Sequence, residues 1–445
     1  MTQETKGRGN VLAIVIMFAL FFMIAFVTGY QNPLGSVISK LWNGNLAPGE
    51  PGYTDMSQVG TLFNFLAYLV MGYPAGLLLH KRGYRFTSLS AVTTGFVGVA
   101  ITFISGKMQD AAMSNALVVV VYMVGAFIAG LSMCMLNTVV NPMLNSLGGD
   151  DKHGNQLVLF GGTFNSLGAT LAPMVVAFLM DGAGEAAQHR IDAADNVFYL
   201  AMGIFLLAFI VLFCSKLPES ETLGQEREKI NPLGALKYRH FALGVVAILV
   251  YMGIEVGIAN ISYQYMEKQA GLDQSMVGAI CGIYWLLMLV GRFIGGAIGA
   301  KVSSRAMLTV ASTLGLVLVI SAIFWPASSL TTMVGFDNAD GFKFVVDHGV
   351  PVSAVLLTLC GLCTSIMWGA IFNLSVSGLG KYTQVASGIF MTMVVGGGIW
   401  PLLQSKLAAS IGDYLPSFWL VVAFLAYMLF YALIGSRPKA AQVAE

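Results

Sequence analysis

The 445-residue chain is 57% hydrophobic and 10% charged, which excludes an ordinary soluble domain, where about a quarter of the residues carry charge. Its mean hydropathy of +0.77 indicates a membrane protein. The formal net charge of +1 provides no electrostatic basis for binding nucleic acid.

The predicted elements, in chain order, are twelve membrane-spanning helices, because apolar runs of about 20 residues or more recur along the chain. Their expected extents are 11–41, 58–79, 86–105, 115–146, 155–180, 196–217, 240–266, 275–300, 306–326, 350–378, 384–410 and 415–436. The first run is too long for a signal-peptide core and no small-residue cleavage site follows it, so we expect it to be retained.

The distribution of basic residues predicts the orientation of these spans. Most lysines and arginines, including Lys81, Arg85 and Lys216, lie in connections on the side of the N-terminus, and fewer lie on the other side. The positive-inside rule therefore predicts a multi-pass protein of the cytoplasmic (inner) membrane with both termini in the cytoplasm. An even number of spans agrees with this orientation.

The longest polar connection, 218–239, divides the chain into two predicted bundles of six helices, 1–217 and 240–445. The fold class that we expect is an all-α membrane protein with twelve transmembrane helices in two pseudo-symmetric six-helix bundles. Duplicated halves with a site at their interface, near the bilayer midplane, are typical of secondary transporters.

A motif shared by the two halves supports the internal repeat. The second span runs into GLLLHKRGYR and the eighth into GAIGAKVSSR, and both read G-x4-K-x3-R. The basic residues that we expect to act in gating are Lys81, Arg85, Lys301 and Arg305, together with Arg292 in a G-R-x-x-G turn near the cytoplasmic end of the eighth span. We expect no substrate contact at Arg292.

The spans, the central loop and the basic turn together resemble the major facilitator superfamily, although His80 stands where an aspartate is common. Within that superfamily the chain resembles the fucose/glucose–galactose:cation symporter family. The motifs that carry this resemblance are NTVVNP (137–142), TFNSLGA (163–169), YMGIEVG (251–257) and GGGIWP (396–401). The resemblance implies a sugar substrate and transport by alternating access.

Uncharged amides inside the first and fourth spans are candidate sugar ligands, because hydroxyl groups both donate and accept hydrogen bonds. They are Gln31 and Asn32, beside the helix-disrupting Pro33, and Asn137 and Asn141, one helical turn apart. The alternative is structural, with the amides bonding neighbouring helices or a carbonyl freed by proline. The fucose–proton members of the family carry carboxylates where Asn32 and Asn137 align, so these positions cannot carry a proton here.

Further candidates come from the fifth, eighth and tenth spans. The family resemblance implies a sugar contact at Asn165, and Gly162, which stands where a family glutamine is frequent, predicts a roomier pocket. Tyr284 and Trp368 are predicted to stack on the C–H faces of a sugar, with Asn373 as a further polar group. Packing within the bundle is the alternative for both aromatic residues.

Glu255 is the acid that we place deep within a span, and intramembrane acids are functional by default. Three roles are open: it carries the coupling proton, it binds Na+ together with amide and backbone oxygens, or it accepts hydrogen bonds from the sugar. Tyr251 lies one turn earlier on the same face, whereas Asn260, a further substrate candidate, lies about 140° round the helix.

The sequence therefore predicts a transporter that imports a neutral, hexose-type monosaccharide, coupled through Glu255 to a cation, with Na+ ahead of H+. The alternatives are an uncoupled facilitator, a transporter of another small neutral polar solute, a ligand-sensing receptor and an exporter. We find no nucleophile–base pair, phosphate loop or zinc spacing, so we expect no enzyme activity. We expect no metal site and no cofactor beyond Na+ as a coupling ion, and the expected partners are a sugar and membrane lipid around a monomer, without nucleic acid.

Overall fold

The structure is a computed structural model that describes residues 3–29, 31–44, 46, 56, 59–111, 113–180, 190–219, 232–272, 274–326, 328–337 and 343–437. Its helices in these ranges are α1 (Gln3–Gly29), α2 (Gln31–Asn43), α3 (Val59–Asp110), α4 (Asn115–Leu147), α5 (Asp151–Met180), α6 (Asp195–Cys214), α7 (Arg239–Gln264), α8 (Gln274–Gly299), α9 (Ser304–Phe324), α10 (Val352–Ser365), α11 (Met367–Val376), α12 (Thr383–Thr392), α13 (Gly396–Ile411) and α14 (Trp419–Phe430). Two strands, β1 (Leu330–Asp337) and β2 (Lys343–Pro351), lie between α9 and α10.

The described residues contain ten helical segments that are long and apolar enough to cross a membrane. One of them, Val59–Asp110, contains two predicted spans that meet at Gly83, where the backbone turns with φ 82° and ψ −178°. This left-handed φ favours glycine, because a Cβ would be strained there. With α5 as the remaining span, the predicted all-α fold class of twelve transmembrane helices is confirmed.

Two spans are interrupted rather than continuous. The tenth is divided between α10 and α11 at Ile366, and the eleventh between α12 and α13 by a short 3-10 turn. Interrupted helices free backbone groups, which membrane proteins tolerate where those groups are buried in protein or line a cavity. The sequence predicted a kink at Pro33 alone.

A β-hairpin in the connection between α9 and α10 was not predicted. β1 pairs with β2 in an antiparallel register that runs from Leu330 opposite Pro351 to Asp337 opposite Lys343. The hairpin packs against α8 and α10. Its strands of eight and nine residues are shorter than a membrane span, so apolar runs of membrane length do not indicate them.

The chain forms two compact units. The first comprises Met1–Leu147, Leu167–Pro232 and Lys381–Thr392, and the second comprises Gly148–Ser166, Leu233–Gly380 and Met393–Glu445. Each unit therefore consists mainly of one half of the sequence and includes one short segment from the other half. The boundaries 1–217 and 240–445 remain a prediction about the repeat.

Candidate functional site

A buried ion pair joins Glu255 on α7 to Arg292 on α8. The distance from Arg292 Nη2 to Glu255 Oε1 is 3.5 Å, and the two side chains are only 8% and 12% exposed. A charged group withdrawn from water is costly unless an opposite charge and hydrogen bonds compensate it. The other ion pairs among the described residues have at least one partner that is a fifth or more exposed, so this pair is distinct in its burial.

The Arg292 guanidinium binds two helices besides α7. Nε donates to the Ser365 carbonyl oxygen at the end of α10, at 3.3 Å. Nη1 donates to α5 at the Gly162 carbonyl oxygen (3.1 Å), Asn165 Oδ1 (3.4 Å) and Ser166 Oγ (2.9 Å). The planar fork of five N–H donors is what allows one side chain to reach this many acceptors.

The pairing of Arg292 with Glu255 was not predicted. We expected Arg292 to act in gating near the cytoplasmic end of its span, and that role stays a prediction; the structure pairs it with Glu255 in a buried site. The available signal was charge balance: an arginine within the apolar span Met276–Gly299 requires a counter-charge, and Glu255 was the acid already placed deep in a span.

Two tyrosines contact Glu255, and one of them, Tyr284, was predicted for the pocket. The Tyr284 hydroxyl donates to the Glu255 carbonyl oxygen at 3.1 Å and shares a hydrogen bond with Thr364 Oγ1 at 3.2 Å. The Tyr251 hydroxyl donates to the Thr364 carbonyl oxygen at 3.2 Å and also interacts with the Glu255 side chain. Tyr251 and Tyr284 are buried, so their hydroxyls position Glu255 rather than present a surface.

Trp368, at the start of α11, is the more accessible aromatic residue of this group. Its ring is half-buried and lies 6.1 Å from the Tyr251 ring, centre to centre, in an edge-to-face arrangement of 62°. Asn165 is also half-buried. The structure thus brings together five predicted residues, Glu255, Arg292, Asn165, Tyr284 and Trp368, within the second compact unit.

Gly162 does not leave the open space that the sequence predicted. A Cβ built at Gly162 would lie 3.2 Å from Arg292 Cδ and 3.5 Å from Arg292 Nε. The volume that a larger side chain would occupy is therefore filled by the stem of Arg292. We correct the prediction of a roomier pocket: the glycine makes room for the arginine.

The amides of the fourth span lie in the first compact unit. Asn137 Nδ2 donates to the Tyr68 hydroxyl at 2.9 Å and to the Met133 carbonyl oxygen at 3.2 Å, and Asn137 is 7% exposed. Asn141 is fully buried, and its Nδ2 donates to the Asn137 carbonyl oxygen at 2.8 Å. The environment of Asn141 matches the packing alternative, since a fully buried amide presents no surface to a substrate.

The remaining substrate candidates are Asn373, Asn260, Gln31 and Asn32. Asn373 is buried and donates to Ser304 Oγ, at the start of α9, at 3.3 Å. Asn260 is half-buried on α7 at the angle from Glu255 that the sequence predicted. Gln31 and Asn32 begin α2, and their side chains lie outside the part of the chain that the structure describes.

The arginines of the repeated motif bind the ends of helices. Arg85 Nη2 donates to the Phe213 carbonyl oxygen near the end of α6, and Arg305 Nε donates to Ser436 Oγ just after α14, at 3.3 Å. Each therefore contacts the last span of its own half, where the negative end of the helix dipole favours a cation. Lys81 and Lys301 are exposed. Gating by these four residues stays a prediction.

The glycines of the same motif, Gly76 and Gly296, lie where neighbouring helices approach closely. A Cβ at Gly76 would lie 2.9 Å from the Val385 carbonyl oxygen and 3.0 Å from Gly388 Cα on α12. A Cβ at Gly296 would lie 2.7 Å from the Phe160 ring on α5. In both cases the motif glycine of one half allows a helix of the other half to approach, which is the symmetry expected of a repeat.

Glu219, which follows α6, was not singled out from the sequence. Its Oε2 accepts a hydrogen bond from the Tyr84 backbone N–H at 2.7 Å, and its Oε1 accepts one from the Arg85 N–H at 3.0 Å. These donors follow the bend at Gly83, so the carboxylate caps the second half of α3. No spacing rule links Glu219 to a turn more than a hundred residues earlier in the chain.

Comparison with known proteins agrees with this architecture. Residues 9–401 match the model of the Major Facilitator Superfamily. The glucose/galactose transporter of Brucella abortus is 27% identical over 443 residues, covering 98% of this chain and 97% of its own length. The L-fucose-proton symporter of Escherichia coli is 20% identical over 458 residues, covering 96% of this chain and 94% of its own length.

The fold is similar to a crystal structure of the transporter FucP in the outward conformation. The TM-score is 0.76 at 18% sequence identity, over 96% of this chain and 100% of that chain. The resemblance drawn from the motifs is confirmed, and an enzyme is excluded because the matching family consists of transport proteins. From its matched length and its relatives, this chain belongs to the Major Facilitator Superfamily.

Proposed function

We propose that the chain imports a neutral hexose-type monosaccharide by alternating access, coupled to a cation through Glu255. The proposal is supported by the names of its relatives, a glucose/galactose transporter and an L-fucose-proton symporter. The observation that carries it is the buried Glu255–Arg292 pair beside two half-buried sugar-binding residue types, Asn165 and Trp368.

The chemistry of this group suits an uncharged sugar. The carboxylate accepts hydrogen bonds from hydroxyl groups, the amide both donates and accepts, and an indole ring stacks on the C–H face of a pyranose. The opposite charges of Glu255 and Arg292 cancel, so the site has no net charge that would select an ionic substrate. A second candidate class, other small neutral polar solutes, shares this chemistry and is separated from sugars by the assay below.

For the coupling ion we propose H+ ahead of Na+, which reverses the order drawn from the sequence. That order rested on Glu255 as a lone carboxylate among amides. Arg292 Nη2 lies 3.5 Å from its Oε1, so a sodium ion would have to displace a guanidinium to reach this oxygen. A proton needs no such space, because it neutralises the carboxylate without adding ligands.

Uptake into proteoliposomes tests the proposal. Purified protein is reconstituted, and accumulation of D-glucose, D-galactose and L-fucose is measured under an imposed proton gradient, an imposed sodium gradient, or neither. We expect accumulation above equilibrium under the proton gradient. Equilibration alone under all three conditions would identify an uncoupled facilitator, accumulation under the sodium gradient alone would restore Na+, and no uptake of any sugar would overturn the proposal.

We further propose that the protein works as a monomer in the inner membrane with both termini in the cytoplasm. The bias of lysine and arginine toward the N-terminal side of the spans supports this orientation. Labelling of single cysteines at Lys81 and Lys107 from one side of the membrane tests it, since the two are predicted to lie on opposite sides. Labelling of both positions from the same side would contradict the orientation.

A further inference from the structure

We propose that Arg292 is a positioning residue that transmits the charge of Glu255 to helix α5, so that neutralising Glu255 releases α5 from α8 and α10. This inference rests on the proposed role of Glu255 as the coupling carboxylate. It goes beyond that role, because it states which part of the fold responds when the cation binds.

The contacts of Arg292 supply the first step. Three of its hydrogen bonds end on α5, at Gly162, Asn165 and Ser166, over distances from 2.9 to 3.4 Å. Helix α5 belongs to the first predicted half of the chain, whereas α7, α8 and α10 belong to the second. Arg292 therefore fastens a helix of one half to helices of the other, inside one compact unit.

Close packing on the side of α8 that carries Arg292 shows how near α5 and α8 lie. A Cβ at Gly299 would be 3.1 Å from Gln156 Cα and 3.3 Å from Gln156 Cβ, and Gly296 meets Phe160. Gly162 admits the stem of Arg292 at 3.2 Å from the position of a Cβ. This part of α5 is thus held both by van der Waals contact and by the guanidinium.

The charge of Glu255 determines whether Arg292 can stay in this position. With Glu255 ionised, the guanidinium has a buried counter-charge within 3.5 Å. When a cation neutralises the carboxylate, Arg292 becomes a buried charge opposed only by neutral acceptors, which is a costly arrangement. The guanidinium then turns toward water, and its hydrogen bonds to α5 are lost. Neutralisation of one residue on α7 thereby loosens α5.

Disulfide cross-linking tests this coupling without requiring transport. A Gln156→Cys/Gly299→Cys protein is oxidised at constant pH, and the 156–299 disulfide is quantified by mass spectrometry, so the native cysteines can stay. Cβ atoms 3.3 Å apart are close enough to bridge after a small adjustment. Adding Glu255→Gln should lower the rate of cross-linking by about tenfold, the change expected from one charge-assisted hydrogen bond. The matched control Glu267→Gln, an acid outside the site near the end of the same span, should leave the rate unchanged.

Variants of Arg292 separate coupling from a purely structural clamp. Arg292→Lys keeps the charge but loses the fork, so cross-linking should be slow with or without Glu255→Gln. The double variant Glu255→Gln/Arg292→Gln removes both charges, leaves no unpaired ion to prevent folding, and should also cross-link slowly. If Arg292 is only a structural clamp, cross-linking should be slow in the Arg292 variants and unaffected by Glu255→Gln. That result would overturn the proposal.

A second measurement avoids the close packing of residues 156 and 299. Spin labels at the exposed positions Lys152 and Lys301 report the separation of the beginning of α5 from the end of α8. We expect a longer mean distance in Glu255→Gln than in the parent protein. Gly162→Leu, which fills the volume of the Arg292 stem, should give the longer distance even with Glu255 present, whereas Gly203→Leu, which meets no atom within 4 Å, should not.

The two proposals fail in different ways. If uptake shows no sugar transport but Glu255→Gln still slows cross-linking, the proposed function is wrong and the link from Glu255 to α5 stands. If cation-driven uptake is found and the Glu255→Gln substitution leaves the cross-linking rate unchanged, the function stands and the link is wrong.

Discussion

At the scale of single residues, the pairing of Glu255 with Arg292 explains how two charges persist inside an apolar bundle. Each residue compensates the other, and the Ser365 carbonyl oxygen on α10 and the Ser166 hydroxyl on α5 accept further hydrogen bonds from Arg292. Removing one partner alone leaves an uncompensated buried charge, which typically costs about 3–5 kcal/mol. If Glu255 is the coupling carboxylate that we propose, we expect cation binding to change its contacts with Arg292.

Glu255→Gln should abolish accumulation of sugar against its gradient, because an amide cannot be ionised over the working pH range. Exchange of labelled for unlabelled sugar should persist, because it does not require net movement of the cation. Both activities are measured in proteoliposomes, with Glu267→Gln as the control. Accumulation by the Glu255→Gln protein would show that the coupling site lies elsewhere.

Asn137→Ala should weaken sugar binding if the amide contacts the substrate, by roughly 1–3 kcal/mol for a lost partner in a buried site. The same substitution also removes the donor to the Tyr68 hydroxyl. Tyr68→Phe is therefore the matched control, since it breaks the same hydrogen bond from the other side. Equal loss of affinity in both variants, measured by calorimetry, would assign Asn137 to positioning or packing.

Residue types could be predicted from the sequence better than their pairings. Glu255 stood out because acids are unusual in apolar spans, and the family resemblance implied a role for Asn165. The structure brings both to the ion pair. The filled space at Gly162 could not be predicted, because it depends on how α5 and α8 pack. The pairing of Glu255 with Arg292 could have been inferred from charge balance, but its geometry depends on how α7 packs against α8. A stripe of amides one turn apart, such as Asn137 and Asn141, has the same spacing whether it bonds its own helix or a ligand.

At the scale of helices, the approach of α3 to α12 depends on glycine. A Cβ at Gly388 would lie 2.4 Å from the Gly72 carbonyl oxygen and 2.6 Å from Gly76 Cα, so the two backbones are in direct contact. Small residues at such crossings are the usual means of close packing between membrane helices. The second and eleventh predicted spans come from different halves, so this contact must open if the halves rock.

Gly388→Leu should force α12 away from α3, because no side chain fits between the backbones. Spin labels at the exposed positions Lys81, on α3, and Lys381, just before α12, should report a longer separation than in the parent protein. Gly278→Leu, which meets no atom within 4 Å, is the control. An unchanged distance with a stable fold would show that the glycine contact does not set the position of α12.

The beginning of α5 is capped by Asp150, which provides a prediction about pH. Asp150 Oδ1 accepts hydrogen bonds from the Lys152 and His153 backbone N–H groups at 2.9 Å, and Oδ2 contacts His153 Nδ1 at 2.6 Å. The hydrogen bonds from His153 hold the pKa of Asp150 below its usual value. A depressed pKa means that the cap stabilises the folded state above the ordinary Asp range and is lost as pH falls through the lowered value.

Amide exchange measured at neutral pH should therefore be faster in the first turn of α5 in Asp150→Ala than in the parent. Asp150→Asn should retain most of the protection, because asparagine also caps helices well. In the parent protein, protection of this turn should decline only at pH below about 3.9, the ordinary value for Asp. Loss of protection near neutral pH would instead implicate His153.

The number of spans could be predicted from the sequence, and their interruptions could not. Length and apolarity define a span, but the breaks at Ile366 and at 393–395 arise within apolar stretches where no proline stands at the break. The hairpin of β1 and β2 was missed for a related reason, since it is stabilised by pairing and by packing on α8 rather than by a membrane-length pattern. Tertiary context decides these features.

At the scale of the whole molecule, the two compact units do not coincide with the two halves of the sequence. Gly148–Ser166 joins the helices of the second half, and Lys381–Thr392 joins those of the first. The exchanged segments are pieces of the fifth and eleventh predicted spans, which correspond to each other in the repeat. Internal symmetry thus extends from the G-x4-K-x3-R motif to the exchange of segments.

Under the proposed alternating access, we expect the exchanged segments to separate from the units that hold them. Two contacts attach these segments: the hydrogen bonds from Arg292 to α5 and the backbone contact of Gly388 with α3. One attachment involves a titratable partner and the other involves only packing. Under the proposed coupling, a cation would therefore act directly on the first attachment.

The most direct test of cation-coupled sugar transport is the movement of protons that sugar itself induces. Unbuffered proteoliposomes containing the protein are mixed with D-glucose or D-galactose in the absence of any imposed gradient, and the external pH is recorded. We expect an alkaline shift outside that requires the protein, is removed by a protonophore and is absent in Glu255→Gln. Uptake of sugar with no change in external pH, at the same rate with and without sodium, would contradict cation coupling.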